Sequence, residues 1–148
     1  MVQSAPVQVL IVEDNPGDVE LARVALGETT LPLAVHVASD GEEAMRFLRQ
    51  QGEFDDAPTP DLVLLDLNMP KMGGLEVLDR MKADEDLRFI PVVVFTSSAA
   101  REDIDGAYDR YANCYITKPS DLDELVGVVR AIEAFWLTVV RLPRRVTA

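Results

Sequence analysis

The stretch LVLLDLNMP, Leu62–Pro70, decides how the rest of the chain is read. Its continuous apolar run is typical of a strand buried on both faces of a parallel sheet, and a carboxylate follows at Asp66. A charged side chain is rarely buried without a partner. The stretch therefore predicts a strand whose end holds Asp66 for a purpose other than packing.

Apolar runs and helical patterns alternate along the whole sequence, which predicts an α/β fold. Such a (βα)5 pattern indicates a doubly wound, parallel five-stranded sheet, and we expect the flavodoxin-like strand order 2-1-3-4-5. Asp40 and Ser120 stand where helix N-caps are needed. The predicted strands cover residues 7–12, 33–38, 62–66, 91–96 and 114–117, and the predicted helices cover residues 18–28, 41–51, 74–84, 100–112 and 121 to about 142.

Length and composition indicate one domain over residues 1–148. We expect its core at about 7–136, followed by an extended C-terminal helix and tail at 137–148. The sequence has no apolar run long enough to cross a bilayer and no signal-peptide pattern at its start, so we expect a cytoplasmic protein. The polar segment 52–61, with two prolines, is interpreted as an exposed connection.

The formal net charge of -12 disfavours nucleic acids and anionic membranes as partners. The basic segment RLPRR, residues 141–145, is interpreted as a solubilising tail. The single cysteine, Cys114, lies in an apolar context and is expected to be a buried structural thiol. His36, on the second predicted strand, has no partner motif and is expected to pack as a strand residue.

Polar or charged side chains follow four of the five predicted strands: Glu13 and Asp14, then Asp66, Thr96 and Lys118. Ligands of open α/β sheets collect at these carboxyl ends, where strands one and three are neighbours. Crowded carboxylates must be neutralised, and an all-oxygen cluster suits a hard divalent ion such as Mg²⁺. A carboxylate beside a metal, an ammonium and a hydroxyl can attack a phosphoryl group, which would make Asp66 an acyl phosphate. The alternative is that these are unrelated strand-end acids and helix caps.

Four ordered motifs resemble those of the response-regulator receiver domains of two-component signalling: VEDN at 12–15, LLDLNMPKMGG at 64–74, VFTS at 94–97 and ITKP at 116–119. The resemblance implies that Asp66 accepts a phosphoryl group from a phosphohistidine of a sensor kinase, that Lys118 contacts this group and that Thr96 swings towards it. It also implies that Mg²⁺ is held by Asp14, Asp66 and the backbone carbonyl of Asn68, with Glu13 acting through a water.

The same resemblance assigns finer roles. Tyr115 would change rotamer together with Thr96, while Asn68 and Ser98 would tune the lifetime of the phosphate. A cis peptide bond is implied between Lys118 and Pro119. Two segments, VEDNPGDVELA and ANCYITKPSDLDELVGVVRAIEAFWLTVV, resemble the single-domain regulators that partner bacterial phytochromes. In that subfamily the partner is a light-sensing histidine kinase, and the regulators commonly form homodimers.

The last predicted helix carries two apolar stripes. A helix that covers a sheet buries only one face, so one stripe is expected to face the core and the second has no packing partner within the fold. We therefore expect a homodimer through this helix and the fifth strand. The alternative is that the chain's own tail covers the helix. The core stripe comprises Leu125, Val129, Ile132 and Trp136, and the dimer stripe comprises Val128, Phe135, Val139 and Leu142.

Two functions compete with a phosphorylated signalling protein whose output is binding and which has neither enzymatic turnover nor a DNA-binding domain. One is a magnesium-dependent phosphohydrolase with an aspartyl-phosphate intermediate. Such enzymes usually place a second aspartate two residues after the nucleophile, where this chain has Asn68. The other is a flavodoxin-like cofactor binder, which Glu13 and Asp14 disfavour because a phosphate-binding loop offers hydroxyls and backbone donors.

Overall fold

The computed structural model describes residues 5–27 and 32–143. Its strands form one parallel sheet in the order β2-β1-β3-β4-β5. The predicted doubly wound sheet is confirmed, and each strand begins and ends within one residue of its expected bounds. The strands are β1 (Val7–Val12), β2 (Leu33–Ala38), β3 (Leu62–Leu65), β4 (Val92–Thr96) and β5 (Cys114–Thr117).

Five α-helices connect or follow the strands. Asp40 caps its helix as predicted, because its carboxylate accepts the N–H of Glu43 at 2.8 Å. The expectation for Ser120 is wrong: Asp121 caps the last helix by accepting the N–H of Glu124 at 3.0 Å. An N-cap oxygen bonds the second or third N–H of its helix, and Asp121 is the residue at that spacing. The helices are α1 (Pro16–Leu26), α2 (Gly41–Leu48), α3 (Gly74–Ala83), α4 (Arg101–Asp109) and α5 (Leu122–Ile132).

The sheet separates two hydrophobic cores, because alternate residues of each strand point to opposite faces. Leu10, Val63 and Val92 pack towards α2 and α3. Val9, Leu64 and Val93 pack towards α1 and α5 on the other face. The central strands are therefore buried on both sides, as the unbroken apolar run of β3 predicts.

The last helix departs from the predicted pattern after Ile132. Its backbone continues as a π-helical segment, Glu133–Val139, in which the N–H of Val140 donates to the carbonyl of Phe135 at 2.9 Å. A π-helix turns less per residue than an α-helix, so the apolar stripe shifts. Leu137 is buried as a result, while Trp136, expected in the core, is only half-buried.

Several smaller expectations are decided by the structure. The Lys118–Pro119 bond is trans, so the implied cis bond is wrong; the trans isomer is favoured by about 0.5–1 kcal/mol in X–Pro peptides. His36 packs as expected: its Nε2 lies 2.7 Å from Oε1 of Gln8 and its ring contacts Phe47. Cys114 is half-buried, and burial raises the pKa of its thiol.

The connection at 52–61 contains a short 3₁₀ turn, Gly52–Phe54, and is exposed over half of its length, while Phe54 and Ala57 pack against the core and Pro60 is buried. Of the basic segment 141–145, the last two residues lie outside the described part of the chain, as does the rest of the tail to residue 148. Within residues 5–27 and 32–143, no helix is long and apolar enough to span a bilayer.

Candidate functional site

The carboxyl ends of four strands meet at one edge of the sheet and hold the predicted site residues in fixed positions. The backbone N–H of Glu13 donates to the carbonyl of Ala38 at 2.9 Å, and the backbone N–H of Asp66 donates to the carbonyl of Val12 at 3.0 Å. The N–H of Lys118 donates in the same way to the carbonyl of Thr96, at 2.7 Å. These are the last bonds of the strand ladders, so each functional side chain leaves the sheet from a rigid point.

Asp66 is the centre of this edge and is only 7% exposed. The hydroxyl of Thr96 donates to its Oδ1 at 2.6 Å, and the backbone N–H of Asn68 donates to the same oxygen at 3.3 Å. Its other oxygen, Oδ2, lies 3.6 Å from Nζ of Lys118. The buried carboxylate therefore has a hydroxyl on one side and an ammonium on the other.

Lys118 is the one buried cation described at this edge, and it serves three carboxylates. Its Nζ donates to Glu13 and, at 3.0 Å, to Oδ2 of Asp18. Burial alone would lower the pKa of Lys118, but the hydrogen bond to Glu13 and the charge of Asp66 outweigh burial and raise it. The side chain thus stays an ammonium at neutral pH.

Three acids come together as predicted. One oxygen each of Glu13, Asp14 and Asp66 lies within 4.8 Å of the others. Burial, assisted by the charge of Asp66, raises the pKa of Glu13 to about 7 despite its bond to Lys118. Close carboxylates that hold on to a proton are typical of a site that a cation can neutralise. This all-oxygen donor set fits a hard divalent metal ion.

The loop after β3 is held against the site by close backbone contacts. Gly74 begins α3 so near Asp66 that a Cβ added there would lie 2.4 Å from the carbonyl oxygen of Asp66. Gly41 begins α2 equally near the loop, with 2.2 Å between such a Cβ and the carbonyl oxygen of Met72. Lys71 adds an ion pair to Asp40 at 3.6 Å. Asn68 is left exposed, lining the cleft above Asp66.

The remaining predicted residues lie further from Asp66 along β4 and β5. The hydroxyl of Tyr115 donates to the backbone carbonyl of Ser98 at 2.8 Å, which links β5 to the loop after β4. The Ser98 hydroxyl donates to Asp103 of α4 and accepts the N–H of Ala100. The side chain of Ser98 is thus engaged by the start of α4.

Four residues that line the cleft at Asp66 were not among the predicted site residues: Asn15, Pro16, Asp18 and Ser97. Asp18, in the first turn of α1, contacts Lys118, and Ser97 lines the same cleft of about 450 Å³ as Asp14, Asp66 and Asn68. The signal for Asp18 was its place one helical turn beyond Asp14, on a helix that starts directly after β1. Ser97 offered no comparable signal, because a serine after a strand is common in loops.

Fold and site together define the class of protein: a doubly wound α/β domain that carries a cluster of acids suited to a cation, and a buried, hydrogen-bonded aspartate, at the switch point of its sheet. The chain belongs to the response regulator receiver domain family, which it matches over residues 9–130.

Relatives of the same length support this assignment. The response regulator Rcp1 of Synechocystis is 44% identical over 138 residues, which cover 93% of this chain and 94% of Rcp1. The crystal structure of Mn²⁺-bound Rcp1 superposes with a TM-score of 0.92 and covers 94% of this chain and 100% of that one. The phosphorylated cyanobacterial phytochrome response regulator RcpA is 47% identical, with a TM-score of 0.92 and coverage of 95% and 100%. The bacteriophytochrome response regulator AtBRR is 38% identical, with a TM-score of 0.71 and coverage of 90% and 96%.

Proposed function

We propose that this chain is a response regulator that accepts a phosphoryl group on Asp66 and signals by phosphorylation-dependent binding to other proteins. The observation that carries the proposal is the setting of Asp66, buried between the hydroxyl of Thr96 and the ammonium of Lys118. The protein then acts on itself in a stoichiometric reaction and is not a turnover enzyme. A cytoplasmic location follows, since the donor is a kinase that uses intracellular ATP.

The cation in this proposal is Mg²⁺. Asp14, Asp66 and the backbone carbonyl of Asn68 are its ligands, and Glu13 acts through a water. The support is the acid cluster itself and the preference of Mg²⁺ for one or two carboxylates with several waters. An ion bound there supplies positive charge against the oxygens of the transferring phosphoryl group.

In the reaction, a carboxylate oxygen of Asp66 attacks the phosphorus of a phosphohistidine. A P–O bond forms while the P–N bond breaks. The imidazole, whose other ring nitrogen already carries a proton in the phosphohistidine, takes the electron pair of the P–N bond and leaves as a neutral ring. The ammonium of Lys118 binds the oxygens of the incoming phosphoryl group. The Thr96 hydroxyl, already directed at Asp66, donates a hydrogen bond to them. Each group stabilises charge that develops during transfer.

The signal passes through Tyr115 in this proposal. Its hydroxyl bond to the carbonyl of Ser98 joins β5 to the loop that follows Thr96. A movement of Thr96 towards the phosphoryl group shifts that loop, and Tyr115 changes rotamer with it. Asn68, whose side chain is exposed at the cleft above Asp66, and Ser98, in the loop after β4, tune the lifetime of the phosphate.

We infer that the phosphodonor is a sensor histidine kinase of the bacteriophytochrome type. The support is that RcpA is a phytochrome response regulator and AtBRR a bacteriophytochrome response regulator, each covered over at least 96% of its length. The test is phosphotransfer timing: a cognate kinase passes its phosphoryl group to this protein much faster than an unrelated histidine kinase does. Equal rates from both kinases contradict the assignment.

We also propose a homodimer through α5 and β5. The edge strand β5 and α5 border an apolar groove of about 510 Å³ that includes Ile116, Val128 and Trp136. Phe135 beside it is 53% exposed and Val139 is 70% exposed. A second copy of the same face covers these side chains. Leu142, the last residue of the predicted dimer stripe, instead packs partly buried against the chain's own core.

The experiment for Asp66 is labelling by acetyl phosphate in the presence of Mg²⁺. Asp66→Asn is expected to abolish labelling, while Asp55→Asn, an exposed acid in the loop after α2, labels like the wild type. Labelling of Asp66→Asn equal to wild type contradicts the site. Rapid release of phosphate from simple esters would favour the phosphohydrolase instead.

A further inference from the structure

Asp18 is a fourth carboxylate at the site, and it comes from a different element than the other three. Asn15 caps α1 by accepting the N–H groups of Gly17 at 2.9 Å and Asp18 at 3.1 Å. This cap fixes the first turn of α1 near Lys118, the residue that follows β5. The carboxylate of Asp18 consequently reaches Nζ of Lys118 at 3.0 Å while remaining 31% exposed.

The ammonium of Lys118 is shared unequally. It donates hydrogen bonds to Glu13 and Asp18, whereas Oδ2 of Asp66 stands at 3.6 Å. That separation exceeds the usual length of a charge-assisted hydrogen bond, about 2.7–2.9 Å. Asp18 therefore takes up part of the hydrogen-bonding capacity of Lys118, which is then not available to Asp66.

We propose that Asp18 is a positioning residue that competes with the phosphoryl group for Lys118. In the resting protein it draws the ammonium aside and adds negative charge near the cation site. In the phosphorylated protein Lys118 must turn from Asp18 to the phosphoryl oxygens. The inference rests on the proposed role of Asp66 as phosphoacceptor.

Opposite effects on two ligands follow from this competition. Removing the charge of Asp18 leaves Lys118 with fewer anionic partners, so its field acts more strongly on whatever enters the cleft. A divalent cation is then bound more weakly by the resting protein. A phosphoryl analogue is bound more tightly, because it no longer has to displace Lys118 from Asp18.

The test compares Asp18→Asn with Glu20→Gln, which removes one negative charge from an exposed position two residues further along α1. For Asp18→Asn we expect the Kd of Mg²⁺ to rise and the Kd of beryllofluoride, at saturating Mg²⁺, to fall, each roughly two- to fivefold as for a partly exposed ion pair. Glu20→Gln is expected to leave both constants within twofold of wild type. Asp18→Glu, which keeps the charge, is expected to have Kd values for Mg²⁺ and beryllofluoride closer to those of the wild type than Asp18→Asn has.

The outcomes separate the two hypotheses. A wild type that neither binds beryllofluoride nor is labelled on Asp66 overturns the proposed function. A wild type that does both, with Asp18→Asn moving the two constants in the same direction or not at all, overturns only the role of Asp18. Equal shifts in Glu20→Gln also overturn it, since they reduce the effect to net charge. Urea unfolding of each variant identifies a loss of binding that comes from misfolding. If Asp18→Asn is misfolded, Asp18→Glu tests the role of the Asp18 carboxylate in its place.

Discussion

The hydroxyl of Thr96, at the end of β4, donates a 2.6 Å hydrogen bond to Oδ1 of Asp66, just beyond the end of β3, and both side chains are buried. The bond joins two neighbouring strands of the sheet through the residue that we propose as phosphoacceptor. A hydrogen bond to a charged group typically contributes about 1.5–3 kcal/mol to stability. Thr96 is therefore tied to Asp66 before any phosphoryl group arrives.

Thr96→Val removes the donor and keeps the shape of the side chain. We expect the free energy of unfolding to fall by about 1–3 kcal/mol, since Asp66 loses a buried partner. Labelling by acetyl phosphate is expected to slow, because the valine has no hydroxyl to donate to the oxygens of the incoming phosphoryl group. Urea unfolding and a labelling time course measure the two effects. Thr96→Ser, which keeps the hydroxyl, serves as control, and a valine variant identical to wild type in both assays contradicts the role of this bond.

Glu13 gives the metal-free protein a characteristic pH dependence. Its pKa in the folded protein is about 7, above the ordinary 4.5, so between these values the folded state binds more protons than the unfolded chain. Stability contributed by this proton is present below the ordinary pKa and is lost as the pH rises through the raised pKa of the folded protein. Urea unfolding in EDTA from pH 5 to 8 measures the loss. Glu13→Gln should show a shallower fall over this range, and an unchanged slope in that variant disproves the assignment.

Gly74→Ala tests the close approach of α3 to Asp66. The new Cβ would meet the Asp66 carbonyl oxygen at 2.4 Å and Cα of Leu67 at 2.8 Å, and backbone atoms cannot move aside cheaply. We expect a destabilisation of about 2 kcal/mol or more, together with slower labelling of Asp66. Gly127→Ala is the matched control: it lies in α5 with no atom within 4 Å of the new Cβ, and it should stabilise by about 0.5–1 kcal/mol. Equal effects of the two substitutions would mean that the α3 contact has no strain.

Phe135→Asp tests the homodimer. A charge at this exposed aromatic residue, beside the apolar groove of α5 and β5, cannot be buried against a second copy without a large desolvation cost. We expect the dimer dissociation constant to rise at least tenfold in sedimentation experiments, since a buried hydrophobic anchor contributes roughly 2 kcal/mol or more. Tyr111→Asp places the same charge on another exposed aromatic residue, after α4, and should leave association unchanged. A wild type that sediments as a monomer at micromolar concentration contradicts the dimer.

The sequence predicts the sheet well because a strand that is buried on both faces consists almost entirely of apolar residues. The apolar runs of β3 and β4 are continuous up to the polar residue that ends or follows each strand, and the run of β1 is broken only by Gln8, so their bounds follow closely from residue types. With the strand order 2-1-3-4-5, the strand ends then bring Glu13, Asp14 and Asp66 together. The alternation of strands and helices thus predicts the acid cluster, whereas the roles of individual residues come from the resemblance to receiver domains.

The errors occur where neighbouring residues compete for one position or where the backbone changes its period. Ser120 and Asp121 are both good N-caps, and only the geometry of the first turn decides for Asp121. Leu137 is buried because the last helix widens into π-helical turns, which a stripe drawn at 3.6 residues per turn cannot anticipate. The contact of Asp18 with Lys118 spans 100 residues of sequence and depends on how α1 lies against α5 on one face of the sheet.

The fit between Gly41 and Met72 limits how this protein can be rebuilt. The loop that carries the phosphoacceptor motif rests on the first residue of α2, where only hydrogen fits beneath the Met72 carbonyl. An engineer who grafts LLDLNMPKMGG onto another α/β scaffold must therefore also supply a glycine one helix earlier. Without that glycine, a side chain at the start of the helix would push the transplanted loop away from the sheet edge, even if every residue of the motif had been copied.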